Sequence, residues 1–287
     1  MAGNRVGQRL ATEIVSRGHN LAESPGWNSV TDEMFWVDID QSKAFWSSDI
    51  GQQYEKSFPD GITSLKWRKD FPYLVTGSQK ISFMSPNGSL EHIWEAPKKS
   101  EDWRFNDSLL LESGTVLVGT KNLKDGDSAA RVGHWRSGCF NWWNVRLGLA
   151  NGIAFDQKRL RLYIADSWRH EILFWDCSAE GLPIEPSRPS RLVSDLRGEP
   201  DGLVLDKDGN VYVALWGSGE IGVFSPEGSS VRTYVFPIPH LTSLAWMGEP
   251  GAKALVTSAK VDKKSALKPD ALHAGDVFLF RANSKSN

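Results

Sequence analysis

The sequence predicts an all-β chain folded as a six-bladed β-propeller. Three observations predict it. A β-rich unit recurs six times, starting at Glu23, Thr63, Asn106, Asn151, Asp201 and Thr242, with successive starts 40, 43, 45, 50 and 41 residues apart. Each unit opens on a polar residue followed by an apolar run. The last unit is one strand short, while a β-capable stretch, "RLATEIVS" at 9–16, stands unassigned ahead of the first. About forty residues per four-stranded unit is the period of a propeller blade.

The units read in order. Their first strands are "ESPGW", "TSLKW", "NDSLLL", "NGIAFD", "DGLVLD" and "TSLAW". Second strands follow as "MFWVDI", "YLVTGS", "TVLVGT", "RLYIAD", "NVYVAL" and "KALVTS", rich in the branched and aromatic residues that suit a pleated, buried surface. In the fifth unit Asp208-Gly209 separates the first two strands, a strong short hairpin signal. Third strands are "KAFWSS", "KISFMS", "RVGHW", "EILFWD", "EIGVFS" and "DVFLF"; fourth strands are "QYEKSF", "LEHIWE", "CFNWWN", "RLVSDL" and "VRTYVF". The sixth unit has no fourth strand, so the stretch 9–16 is expected to complete that sheet and close the ring. "EGLPIEPSRPS" at 180–190 reads as a surface loop and "KVDKKSALK" at 260–268 as a solvated one. No segment splits the chain, so residues 1–287 are expected to form a single propeller domain.

Bulk properties narrow the function classes. The chain has 287 residues, 40% hydrophobic and 24% charged, with a net charge of −2, which gives no electrostatic reason to bind nucleic acid or an anionic membrane. No apolar run approaches the ~18 residues needed to span a bilayer. The start lacks a secretory core, and two cysteines, Cys139 and Cys177, are too few for a disulfide framework, so a cytoplasmic location is expected. No G-x-S-x-G nucleophile elbow is present, and "GSGEIG" at 217–222 lacks the following helix of a phosphate loop. The six histidines lack metal-ligand spacing, although His240, two residues before Thr242, could face a central cavity. Most of the thirteen tryptophans are expected to pack between sheets, while Trp103, Trp168 and Trp216 stand beside the motif ends.

The first strand of a propeller blade lines the central channel, so the six opening residues form a ring about the axis. Two of them, Glu23 and Asp201, are acids. Carboxylates brought together without a counter-charge raise one another's pKa, and a divalent cation resolves the conflict. Oxygen donors from Glu, Asp and Asn favour hard ions such as calcium, magnesium or manganese.

At these residues the sequence resembles the family of regucalcin (senescence marker protein), gluconolactonase and luciferin-regenerating enzyme. The resemblance runs from "LAESPGW" through "RFND", "LANGIAFD" and "EPDGLVLDKDGNVYVALWG" and continues more weakly to "ALHAGDVFLF". It implies a six-bladed propeller and a catalytic divalent metal held by Glu23, Asn151 and Asp201. It further implies Asp201 as general base, with Arg104 and Asn106 contacting a small-molecule substrate. Calcium is the first choice of cation, with magnesium, manganese, zinc or iron as alternatives.

The implied chemistry is hydrolysis of a lactone: a cation polarises the carbonyl and Asp201 assists attack by water. One departure stands out. After "GT" the segment runs Lys121-Asn122-Leu123-Lys124, where sugar-lactonase relatives carry an acid, and this points to a less hydroxylated or more aromatic cyclic ester. Other outcomes of the same cavity are phosphotriester or ester hydrolysis, a biosynthetic lyase-like step, or a non-enzymatic calcium-binding or protein-docking propeller.

Overall fold

Alternating branched and aromatic runs separated by tight turns build antiparallel meanders, and six of them arrange around one axis. A computed structural model describes residues 5–6, 12–49, 52–97, 100–124, 129–260 and 273–282. Among these there is no helix, and hence none long and apolar enough to cross a membrane. The strands form six sheets, each ordered outward from its first strand. The six inner strands are Ala22–Asn28, Ser64–Lys66, Trp103–Leu110, Ala150–Asp156, Glu199–Leu205 and Leu241–Trp246. Each touches the inner strand of the next blade, and the sixth touches the first, so the ring is continuous. The six expected units are thus the six blades of a β-propeller.

The expected closure is present. Thr12–Ser16 pairs antiparallel with Val277–Arg281, placing Ile14 opposite Phe278, and becomes the outermost strand of the sixth sheet. One strand has no counterpart in the sequence reading: Arg5–Val6 runs parallel beside Ser230–Val235 as a fifth strand of the fifth blade. Two residues are too few to carry a periodicity. The basic stretch at 261–268 and residues 9–11 lie outside the described residues.

The apolar faces meet between neighbouring blades. Tyr212, Tyr234 and Leu244 pack with Phe278 and Phe280 between blades five and six, and Leu117, Leu147, Ile164 and Trp175 between three and four. Trp36, Trp46, Trp143 and Trp175 are all buried in these seams, the structural role expected for most tryptophans here.

Two local features aim side chains at the axis. In five of the six blades the register between first and second strands slips at the same place: Glu23/Gly26, Phe105/Ser108, Ala150/Ile153, Pro200/Leu203 and Leu241/Ser243. A bulge there bends the strand and re-aims the residues within it. The second feature is close backbone approach. A methyl group on Gly152 would collide with the carbonyl oxygen of Asp201 and the amide of Leu203, so only glycine allows these two inner strands their spacing. We expect Gly152→Ala to destabilise the fold by about 2 kcal/mol, as overpacking against backbone does. Thermal or denaturant unfolding checks this; a Tm equal to that of the parent would contradict the close approach.

Candidate active site

Five of the six opening residues divide into two groups, and the sixth, Asn106, is engaged with Arg104. Thr63 and Thr242 turn away from the axis. The Thr63 hydroxyl lies 3.1 Å from both the carbonyl and the hydroxyl of Thr76, and that of Thr242 donates to the carbonyl of Ala22 at 2.6 Å. Blade two has the shortest inner strand and shows no slip against its neighbour, so Thr63 stays outside the strand rather than being swung inward. The expectation that all six opening residues converge on the channel therefore holds for fewer of them: a hydroxyl adjacent to a buried carbonyl satisfies that group first.

Glu23, Asn151 and Asp201 form the second group. Asn151 and Asp201 are buried at 7% and 6% exposure. The Asn151 amide nitrogen donates to Ser167 Oγ at 3.2 Å, and Ser167 Oγ in turn donates to the carbonyl of Pro200 at 2.7 Å. That relay ties the Asn151 blade to the residue preceding Asp201. The oxygen Oδ1 of Asp201 is enclosed and has no hydrogen-bond partner. Glu23 accepts one bond, from the amide of Ser24 at 3.1 Å.

The two acids feel each other. Burial, followed by repulsion from Asp107, pushes the Glu23 carboxyl up to about 7, with Lys66 and Arg104 only partly opposing. Asp201 is raised well above the carboxylate range by burial, then by Glu23 and Asp107. Among the described residues no three His, Cys, Asp or Glu side chains are grouped so as to hold a metal ion.

Arg104 and Asn106 act as a unit. Arg104 Nη1 donates to Asn106 Oδ1 at 2.7 Å and to the Phe105 carbonyl at 2.9 Å, while Asn106 Nδ2 donates to the carbonyl of Ala150 at 3.2 Å. Both ends of the Asn106 amide are thereby used, and its geometry orients Arg104. Across the mouth Glu199 pairs with Trp216, whose ring stacks on His240 at 4.1 Å and 3°. His240 Nδ1 is enclosed without a partner, and burial lowers the pKa of the ring. Trp103, by contrast, packs edge-on against Phe105 and Trp142 within its own sheet.

Asp107, Lys66 and Glu199 escaped the sequence reading, and Lys121 was read only as the place of a missing acid. Asp107, one position beyond Asn106, pairs with Lys66 at 2.9 Å and repels both Glu23 and Asp201. The other second positions of the repeat are small, Ser24, Ser64, Gly152, Gly202 and Ser243, and a single acid among them was the available signal. Glu199 and Lys121 also lie within electrostatic reach of Asp201. For Lys121 the signal was strand pairing, which places it directly opposite Arg104. Asp38 and Asp166, the buried acids that end the second strands of blades one and four, are structural. They accept the backbone amides of Asn20 and Leu21, and of Gly148 and Leu149, fixing the chain just before Glu23 and Asn151.

The chain is thus a six-bladed β-propeller whose inner strands carry the acids Glu23 and Asp201. The chain belongs to the SMP-30/Gluconolactonase/LRE-like region family, whose model matches residues 21–260. It is 26% identical to the L-arabinolactonase of Azospirillum brasilense over 277 residues, covering 94% of this chain and 91% of that protein. It is 23% identical to regucalcin of Gallus gallus over 274 residues, covering 92% of each. The solved structure of regucalcin from Agrobacterium tumefaciens, described as a calcium-binding protein, superposes with a TM-score of 0.84 at 21% identity, covering 94% of this chain and 93% of that one. The lactonases among these relatives support lactone hydrolysis as the general activity.

Because the folded pKa of Glu23 lies above its ordinary 4.5, its contribution favours the folded state fully below pH 4.5 and is lost as pH rises to about 7. Protein stripped of divalent ions should therefore lose several degrees of Tm between those pH values. Glu23→Gln should flatten that part of the curve, and melting series on the two proteins check it.

Proposed function

We propose that the chain is a divalent-cation-dependent lactonase, with Glu23, Asn151 and Asp201 as cation ligands and Asp201 also as general base. The observation that carries this reading is the enclosed, unpartnered oxygen of Asp201 beside a second carboxylate that cannot ionise comfortably. Two carboxylates and an amide oxygen fit a hard cation such as calcium, with magnesium, manganese, zinc or iron as alternatives. When bound, such an ion supplies Lewis-acid polarisation of the lactone carbonyl and stabilises charge on its oxygen.

The chain's own residues do the rest. Asp201 takes a proton from the attacking water, a role that suits a carboxylate whose proton affinity is raised by burial and by Glu23. Asn151, its amide fixed by Ser167, offers a neutral oxygen that does not diminish the charge of the ion. Arg104, held by Asn106 and the Phe105 carbonyl, meets an oxygen of the substrate in one orientation, which limits the entropy lost on binding.

Asp201→Asn should leave Tm equal or higher and lower kcat by at least ~100-fold, the usual worth of a general base. Hydrolysis within a few-fold of the parent would remove Asp201 from that role. Glu23→Gln should weaken cation affinity in calorimetric titration. Chelation should abolish turnover of a lactone panel and one particular ion should restore it. Cation binding without hydrolysis of any lactone or ester would instead favour a calcium-binding propeller.

A further inference from the structure

We propose that Arg104 and Lys121 form an anion subsite, so that the substrate is a lactone whose ring carries an anionic oxygen substituent; this rests on the lactonase reading above. The pairing of Trp103–Leu110 with Val116–Asn122 sets Arg104 directly opposite Lys121. Side chains directly opposite on neighbouring antiparallel strands lie on the same face with Cβ atoms about 5 Å apart, and like charges so placed repel. Both residues are half-buried, and among the described residues neither makes a salt bridge with any carboxylate. The Lys121 side chain has no hydrogen bond there either, and the two hydrogen bonds of Arg104 use a single nitrogen on neutral acceptors.

Such a pair costs stability twice, through mutual repulsion and through lost hydration. Burial and then Arg104 pull the Lys121 pKa down, while Asp201, Glu199 and Glu23 oppose from a distance. Arg104 likewise feels Glu23, Asp40 and Asp201, of which Asp40 is exposed, and none of these carboxylates forms a salt bridge with Arg104 or Lys121. Glu23 and Asp201 are the cation's ligands in the proposed site, and Glu199 is half-buried across the mouth beside Trp216. A group that would resolve the conflict is an oxyanion seated between the two strands. The free guanidinium nitrogens of Arg104 match one face of a carboxylate, and the ammonium of Lys121 supplies a second charge. Because Asn106 and the Phe105 carbonyl hold Arg104, the bound anion is located relative to the carboxylates at the axis, and the lactone ring attached to it is positioned with it.

The test uses two matched substrate pairs, γ-butyrolactone with its ring-carboxylated form and gluconolactone with glucarolactone, on cation-loaded full-length protein. The first pair has no hydroxyls and the second has many, so charge and hydroxylation are read separately. We expect the carboxylated member of each pair to have the higher kcat/KM. We expect Lys121→Met to reduce that preference by about 10–100-fold, mainly through KM, and Lys121→Arg to restore most of it. Phosphorylated gluconolactone in a third arm distinguishes phosphate from carboxylate. An unchanged preference in Lys121→Met overturns the proposal and leaves the lactonase reading standing. A separate calorimetric titration with tetrahydrofuran-2-carboxylate, which has no lactone bond, reads the subsite without turnover. Binding that is lost in Lys121→Met, with no hydrolysis of any lactone, supports the subsite and rejects the lactonase reading. Binding of equal strength in Lys121→Met places the carboxylate elsewhere and rejects the subsite.

Discussion

The repulsion between Glu23 and Asp201 is the constraint on which the rest of this site depends. Two carboxylates from blades one and five are held where water is scarce: burial and Asp107 raise the proton affinity of Glu23, and burial, then Glu23 and Asp107, raise that of Asp201. A fold tolerates this only if its stability is secured elsewhere. Here that security lies in the apolar seams between blades, which carry the large side chains and do not involve the axis. The axis is thereby free to hold charge in an arrangement that folding alone would not favour.

What keeps the arrangement rigid is a set of polar stitches between successive inner strands. Ser24 Oγ donates to the carbonyl of Leu65, Ser64 and Ser108 share a hydrogen bond, and Asn106 reaches the carbonyl of Ala150. Ser167 reaches Pro200, Trp246 donates from blade six back to Leu205, and Thr242 closes the circuit on Ala22. Every seam of the ring has one. Each stitch satisfies a buried polar group and fixes the spacing of two strands that carry site residues. The polar residues that open the blades therefore do two jobs, and the bulges and local partners decide which residue does which.

The fold was legible because its signals are local and repeated: strand-rich runs, turns, and a period near forty residues. Closure of the ring was legible as an arithmetic defect, a missing strand at one end and a spare one at the other. Glu23, Asn151 and Asp201 could be proposed because they share a place in the repeat and match motifs of the family. The diversion of Thr63 and Thr242 away from the axis could not be, because it depends on carbonyls contributed by other strands. Asp107 was hidden by its proximity to Asn106, and Glu199 by the absence of any repeat partner of like charge. Lys121 was visible as the lack of an acid, but not as a cation facing Arg104, since register across a strand pair appears only once the bulge in the inner strand is located.

That last point bears on how one scaffold can serve different substrates. The proposed ligand positions, Glu23, Asn151 and Asp201, sit second or third in the inner strands, where glycine contacts and stitches leave little room for change. The mouth residues sit at strand ends, two positions earlier in the inner strands and at the ends of their partners. Arg104, Glu199 and His240 share the first of these places in the repeat, and Lys121 and Trp216 stand opposite Arg104 and Glu199. A substitution there changes the charge or the aromatic surface presented to a ligand without moving the acids below. In this chain one side of the mouth is cationic and the other combines an acid with a stacked Trp216–His240 pair. A ligand that satisfies both sides is held by charge at one end and by a flat surface at the other, which orients it over the axis more tightly than either contact would alone.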